Sequence, residues 1–145
     1  MIDREPAVPA FEEDDVQVVV FHAEPSHLIN ANDRSKGWRR RKQTLTRYWR
    51  TVAGQVAGNQ IRKGQLRRVE RAHIEITVTW PDRNRRDVNN WQPTAKPIVD
   101  GLVKAGLLPD DDDTHVTGPD MRRGYYATPP AIPRITIAVA IRETP

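Results

Sequence analysis

The chain has no cysteine, which excludes disulfides, zinc–thiolate centres and thiol nucleophiles. It has no apolar window approaching the length of a membrane span, and its start, MIDREPAVPAFEEDD, lacks the basic opening and apolar run of a signal peptide. A soluble, cytoplasmic protein with no membrane partner and no organic cofactor is therefore expected. No internal repeat is evident, and 145 residues suit one domain able to bury a core without staples. Each sign of charge is nearly missing from one stretch. Residues 1–15 hold six acids against Arg4, whereas residues 34–71 hold thirteen Lys or Arg against Glu70. The first stretch predicts an acidic, flexible tail over residues 1–14, with the folded domain over 15–145. The second is an electrostatic footprint suited to a polyanion, most commonly nucleic acid.

Periodicity supplies the elements. Residues 15–23 (DVQVVVFHA) are apolar on both faces and predict an interior strand. Residues 24–37 are rich in turn formers and predict a loop. From Trp38 to about Gln60, Leu45, Trp49, Val52, Ala53 and Val56 form one helical stripe, which places Trp49 in the core. Arg39, Arg40 and Arg47 lie off that stripe and become candidate DNA contacts, while Gly54 and Gly58 weaken the helix end. Residues 61–71 predict a loop or short turn. His73–Trp80 alternates cleanly and predicts a strand, as do residues 134–142, with a shorter extended piece over 121–128. Between them Thr94 is a candidate N-cap for a helix that Gly106 ends. The order implies an α+β fold: a single domain with helices packed against a mixed β-sheet.

The chemistry concentrates in PDRNRRDVNNWQPTAKPIVDGLVKAGLLPDDDDTHV, residues 81–116. Arg83, Arg85 and Arg86 precede Asp87, Asn89 and Asn90. Lys96 and Asp100 are i, i+4 neighbours on the helix, and Asp110, Asp111, Asp112 and Asp113 follow. Carboxylates and amide carbonyls beside arginines suit a hard cation working against phosphate, since Mg²⁺ takes oxygen ligands and lets phosphate complete its octahedron. A solvated acidic loop is the plain alternative.

The stretch resembles the signature of RusA-type Holliday junction resolvases, in which a basic run precedes D-x-D-N-x-x-K, then D-x-L-x-x-A-G and a terminal D-D. The likeness is specific only over residues 81–116. It implies a homodimeric, Mg²⁺-dependent endonuclease (Mn²⁺ substituting) of phage or bacterial origin that cuts four-way DNA junctions. By position, Asp87 matches the first catalytic aspartate, Asn90 the following asparagine, Lys96 the lysine at the phosphate and Asp100 the helix aspartate. Counting forward from Asp100 selects Asp111 as the last catalytic aspartate; counting back from Val116 selects Asp113. The implied metal set is Asp87, Asn89, Asp111 and Asp113, with Asp87, Lys96 and Asp111 catalytic and Arg39, Arg40, Arg47, Arg83, Arg85, Arg86 and Asn90 on DNA. Two departures stand out. Asn89 occupies the place of the family's second metal-binding aspartate, and the segment from Asn90 to Lys96 is three residues longer. A junction-binding protein that has lost catalysis, with Asn89 as the lesion, is the rival expectation.

Overall fold

The two cleanly alternating segments form the middle of the sheet. In a computed structural model of the chain, which describes residues 16–145, they are β2 (Ala72–Trp80) and β4 (Ile135–Glu143). They pair antiparallel, with Ile76 opposite Val139 and Val78 opposite Ile137. β1 (Val16–Ala23) pairs antiparallel with the far side of β4, and β3 (Val116–Tyr125) runs parallel to β2. The order is β1-β4-β2-β3, a mixed four-stranded sheet in one α+β domain. The tail expected over residues 1–14 lies outside the described residues.

Two helices, α1 (Trp38–Arg62) and α2 (Gln92–Lys104), cover one face of the sheet. Trp49, Ala53 and Ala57 of α1 and Ile98 and Leu102 of α2 join Val19, Phe21, Ile76 and Ile137 in one apolar cluster. Trp49 is fully buried, meets Phe21 edge-on at 6.1 Å, and donates its indole N–H to the His27 carbonyl at 2.7 Å. That bond removes the cost of burying the one polar atom of a large apolar ring. On the other face, register aligns Val20, Ala138 and Thr77 in one row and His22, Thr136 and Thr79 in the next. These small or polar residues stand outside the core cluster. No helix among the described residues is long and apolar enough to cross a membrane.

Three expectations need correction. β1 is an edge strand, because apolar residues on both faces report what covers each face and not a strand's place in the sheet order. The extended piece expected at 121–128 begins at Val116, where parallel pairing with Ala72 starts; its Gly, Pro and charged residues hide that pairing from any alternation test. Thr94 is not an N-cap. α2 begins two residues earlier at Gln92, with Pro93 tolerated in the first turn, and buried Thr94 accepts the Ile29 N–H at 2.9 Å. α1 runs to Arg62, two residues past the expected end, with Gly54 and Gly58 inside it.

Gly54 has a different role, for it allows α1 and α2 to cross closely at Gly101. A Cβ on Gly101 would stand 2.5 Å from the Arg50 carbonyl oxygen and 2.8 Å from the Ala53 Cβ. Gly101→Ala therefore forces the helices apart and should cost about 1–3 kcal/mol, the usual range for overpacking. A denaturant midpoint unchanged from wild type would contradict this crossing.

Candidate active site

Asp100 and Lys96 lie one turn apart on the exposed side of α2, and the loop after α2 folds back along the helix. Backbone bonds from Leu107 N–H to the Leu102 carbonyl (3.1 Å) and from Val69 N–H to the Leu107 carbonyl (2.8 Å) hold that return. It brings Asp111 to Lys96. The ammonium donates to Asp100 Oδ1 at 2.9 Å and to Asp111 Oδ2, bridging an acid four residues away on the helix and one fifteen residues away across the loop. Arg50 of α1 stands 3.8 Å from the other oxygen of Asp100.

The bridge has electrostatic consequences. The Lys96 ammonium, with a contribution from Asp100, lowers the Asp111 pKa to about 2. Reciprocally, hydrogen bonds from Asp111 and then Asp100 raise that of Lys96 above its ordinary value. A depressed acid contributes stability above its unfolded pKa and loses it as pH falls towards 2. A raised lysine contributes below its unfolded pKa and loses it as pH climbs through the raised value. Both groups are consequently charged across the neutral range. In a ¹³C-detected titration, Asp111 should titrate near 2 in the wild type and move up towards 3.8 in Lys96→Met; the same midpoint in both would remove Lys96 as the cause.

The four aspartates have separate jobs. Asp110 Oδ1 accepts the Asp111 N–H at 2.7 Å. Asp112 Oδ1 accepts the N–H groups of Thr114 and His115 at 3.1 and 3.2 Å, an Asx turn that starts β3. Asp113 is exposed, and its side chain makes no hydrogen bond or ion pair among the described residues. Of the two candidates for the last catalytic aspartate, Asp111 is the one placed at Lys96.

Asp87 follows the end of β2 and caps the single 3-10 turn Val88–Trp91 that leads directly into α2, its Oδ1 accepting the Asn89 N–H at 3.0 Å. Its other oxygen is uncommitted. Asn90 ties this turn to the loop before α1: its carbonyl accepts the Ala31 N–H at 2.7 Å and its Oδ1 accepts from the Asn32 amide at 3.0 Å. Its side-chain carbonyl thus serves an internal contact. Among the described residues, no three His, Asp or Glu side chains gather closely enough to hold a metal ion.

The donor set nevertheless fits a Mg²⁺ that substrate helps to hold, which needs only one or two carboxylates before phosphate oxygens arrive. Lys96 and Arg50 balance Asp100 and Asp111, while Asp87, Asp110, Asp112 and Asp113 have no ion-pair partner among the described residues. A phosphate could approach that surplus of negative charge only with a cation between them.

The basic run divides. Arg86 is folded back, bidentate to Asp82 and 3.9 Å over the Trp80 ring. Arg123 of β3 clamps the carbonyls of Asn84 and Asp82 at 3.2 and 3.3 Å, which fixes the loop that Arg86 closes. Arg83 lies 5.4 Å over Tyr125, whereas Arg85 is exposed and unpaired. Arg39, Arg40 and Arg47 are exposed on α1, Arg39 resting 5.2 Å over Trp38. Arg86→Ala should lower stability by about 1 kcal/mol through the lost cation–π contact. Arg85→Ala should instead stay within about 0.5 kcal/mol of wild type. Unfolding curves of the two variants separate the roles; an equal loss of stability in both would contradict them.

Arg50, 3.8 Å from Asp100, is a residue of this cluster that the sequence does not single out. The only signal for Arg50 was its place off the apolar stripe beside buried Trp49. The sequence matches no family model, and no curated protein is detectably similar to it.

Proposed function

We propose that the chain is a Mg²⁺-dependent endonuclease that hydrolyses phosphodiesters in branched DNA, of the RusA type, acting as a homodimer on four-way junctions with Mn²⁺ able to replace Mg²⁺. The observation that carries this reading is Lys96 bridging Asp100 and Asp111: a charged ammonium held between carboxylates, beside an acidic surplus, within a basic protein.

Asp87, the Asn89 carbonyl and Asp111 are the residues that would hold the ion. When bound, Mg²⁺ supplies an activated water and offsets charge developing on the phosphorane. Asp111 is preferred to Asp113 as the last acid because it meets Lys96. Lys96 is the one group able to change partner, from Asp111 to a non-bridging phosphate oxygen as substrate arrives. Asp100, supported by Arg50, keeps that ammonium aimed while it does so. Arg85 and the exposed arginines of α1 hold flanking backbone, and binding should weaken steeply with salt as counterions are released. A junction has near two-fold symmetry, so an isologous dimer presents one site to each of two strands.

Incubating a labelled four-way junction, or the matched linear duplex, with the protein in Mg²⁺ and in EDTA tests the proposal. Nicking of the junction alone, in Mg²⁺ alone, is the expected result. Junction binding in both conditions with no nicking in Mg²⁺ or Mn²⁺ would replace the enzyme with a binding protein disabled at Asn89.

A further inference from the structure

The loop after β1 and the first turn of α1 enclose a cavity of about 550 Å³, within the size range of small-molecule sites. Leu28, Ile29 and Leu45 contribute its apolar lining, and Trp38 and Trp91 contribute aromatic surface. Trp38 carries a guanidinium over its ring from Arg34, at 4.9 Å. Charge around the cavity is lopsided: Asp33 is neutralised by Arg41 at 2.9 Å, which leaves Arg34 and Lys42 without an ion-pair partner among the described residues.

We infer that this cavity receives an unpaired nucleobase of the DNA substrate, seated against Trp38 and Trp91 with its phosphate at Arg34 and Lys42. Apolar lining, aromatic and guanidinium planes, and an unmatched cationic rim are together what an unstacked nucleotide needs. Bases removed from a helix are held on just such planes, and each stacked base contributes about 1–3 kcal/mol. A paired base is already stacked and cannot enter, so the cavity selects DNA with unpaired nucleotides, as at a branch point. The position fits the proposed endonuclease, on which this inference rests. The loop that lines the cavity is bonded to Asn90 and Thr94, inside the segment that runs from Asp87 to Lys96. A captured base would thereby position the neighbouring phosphodiester at the acids.

The test uses duplexes carrying 2-aminopurine either in a three-nucleotide single-stranded gap or fully paired, bound by the full chain in EDTA so that nothing is cut. The expected result is quenching of the gapped probe only, and a preference for gapped over paired DNA of roughly 5- to 150-fold, the range that stacking of one base implies. Trp38→Leu should bring that preference close to unity. Lys42→Ala, which removes one cation from the captured phosphate, should also lower the ratio, by less than Trp38→Leu does. If Trp38→Leu does not fold by circular dichroism, Arg34→Ala is the second variant and should also reduce the ratio. An unquenched gapped probe, or an undiminished ratio in a folded Trp38→Leu or Arg34→Ala protein, overturns the inference. Because no metal is present, the two proposals fail separately: selective binding without nicking in Mg²⁺ removes the nuclease, and nicking without selective binding removes the cavity's role.

Discussion

Asp111→Asn should lower the rate of junction nicking by about 10³-fold or more, a barrier increase of roughly 4 kcal/mol. The asparagine is nearly isosteric, so the loop and its turn at Asp112 should persist. What changes is charge: the amide removes the anionic oxygen that Lys96 holds and that the ion would share. Junction affinity should be unchanged or higher, since a negative charge beside the bound phosphate is gone. Single-turnover rates and gel-shift affinities of one preparation give both quantities. Nicking within a few fold of wild type would remove Asp111 from the chemistry and return the four aspartates to a solvated loop.

Asp87 and Asn89 carry the second large effect, in opposite directions. Asp87→Asn should abolish nicking in the same way while leaving binding intact, because Asp87 is exposed and its fold role as a cap is one an asparagine also fills. Asn89→Asp should raise activity at limiting Mg²⁺, by about 10-fold if one added carboxylate contributes some 1.4 kcal/mol to holding the ion. The double change separates the roles: Asn89→Asp cannot restore activity to Asp87→Asn if both oxygens are needed on one ion. Equal Mg²⁺ requirements in wild type and Asn89→Asp would mean that a neighbouring aspartate already supplies the missing charge.

Part of this site is legible in the sequence because it follows from helix geometry. Lys96 and Asp100 are four residues apart, and their 2.9 Å contact needs nothing from the rest of the fold. Trp49 and the alternating strands are legible for the same reason, as local period reports burial directly. Which aspartate meets Lys96 is not, because it depends on how a loop returns along α2, and two counts along the chain give two answers. Arg86 reads like its neighbours Arg83 and Arg85, yet lies over Trp80 through a turn closed by Arg123, forty residues away in the chain and adjacent only through β2–β3 pairing. The cavity between Trp38 and Trp91 is likewise tertiary, made when Ile29 and Ala31 bond to Thr94 and Asn90.

Mn²⁺ broadening of backbone amide signals in the ¹⁵N-labelled protein, bound to a short duplex, tests the central claim most directly: that one divalent ion joins the turn at Asp87 to the loop at Asp111. The amides of Asp87, Asn89 and Asp111 should broaden together at the same Mn²⁺ concentration, with all three effects lost in Asp111→Asn. Broadening confined to residues 110–113, with Asp87 and Asn89 untouched, would contradict it.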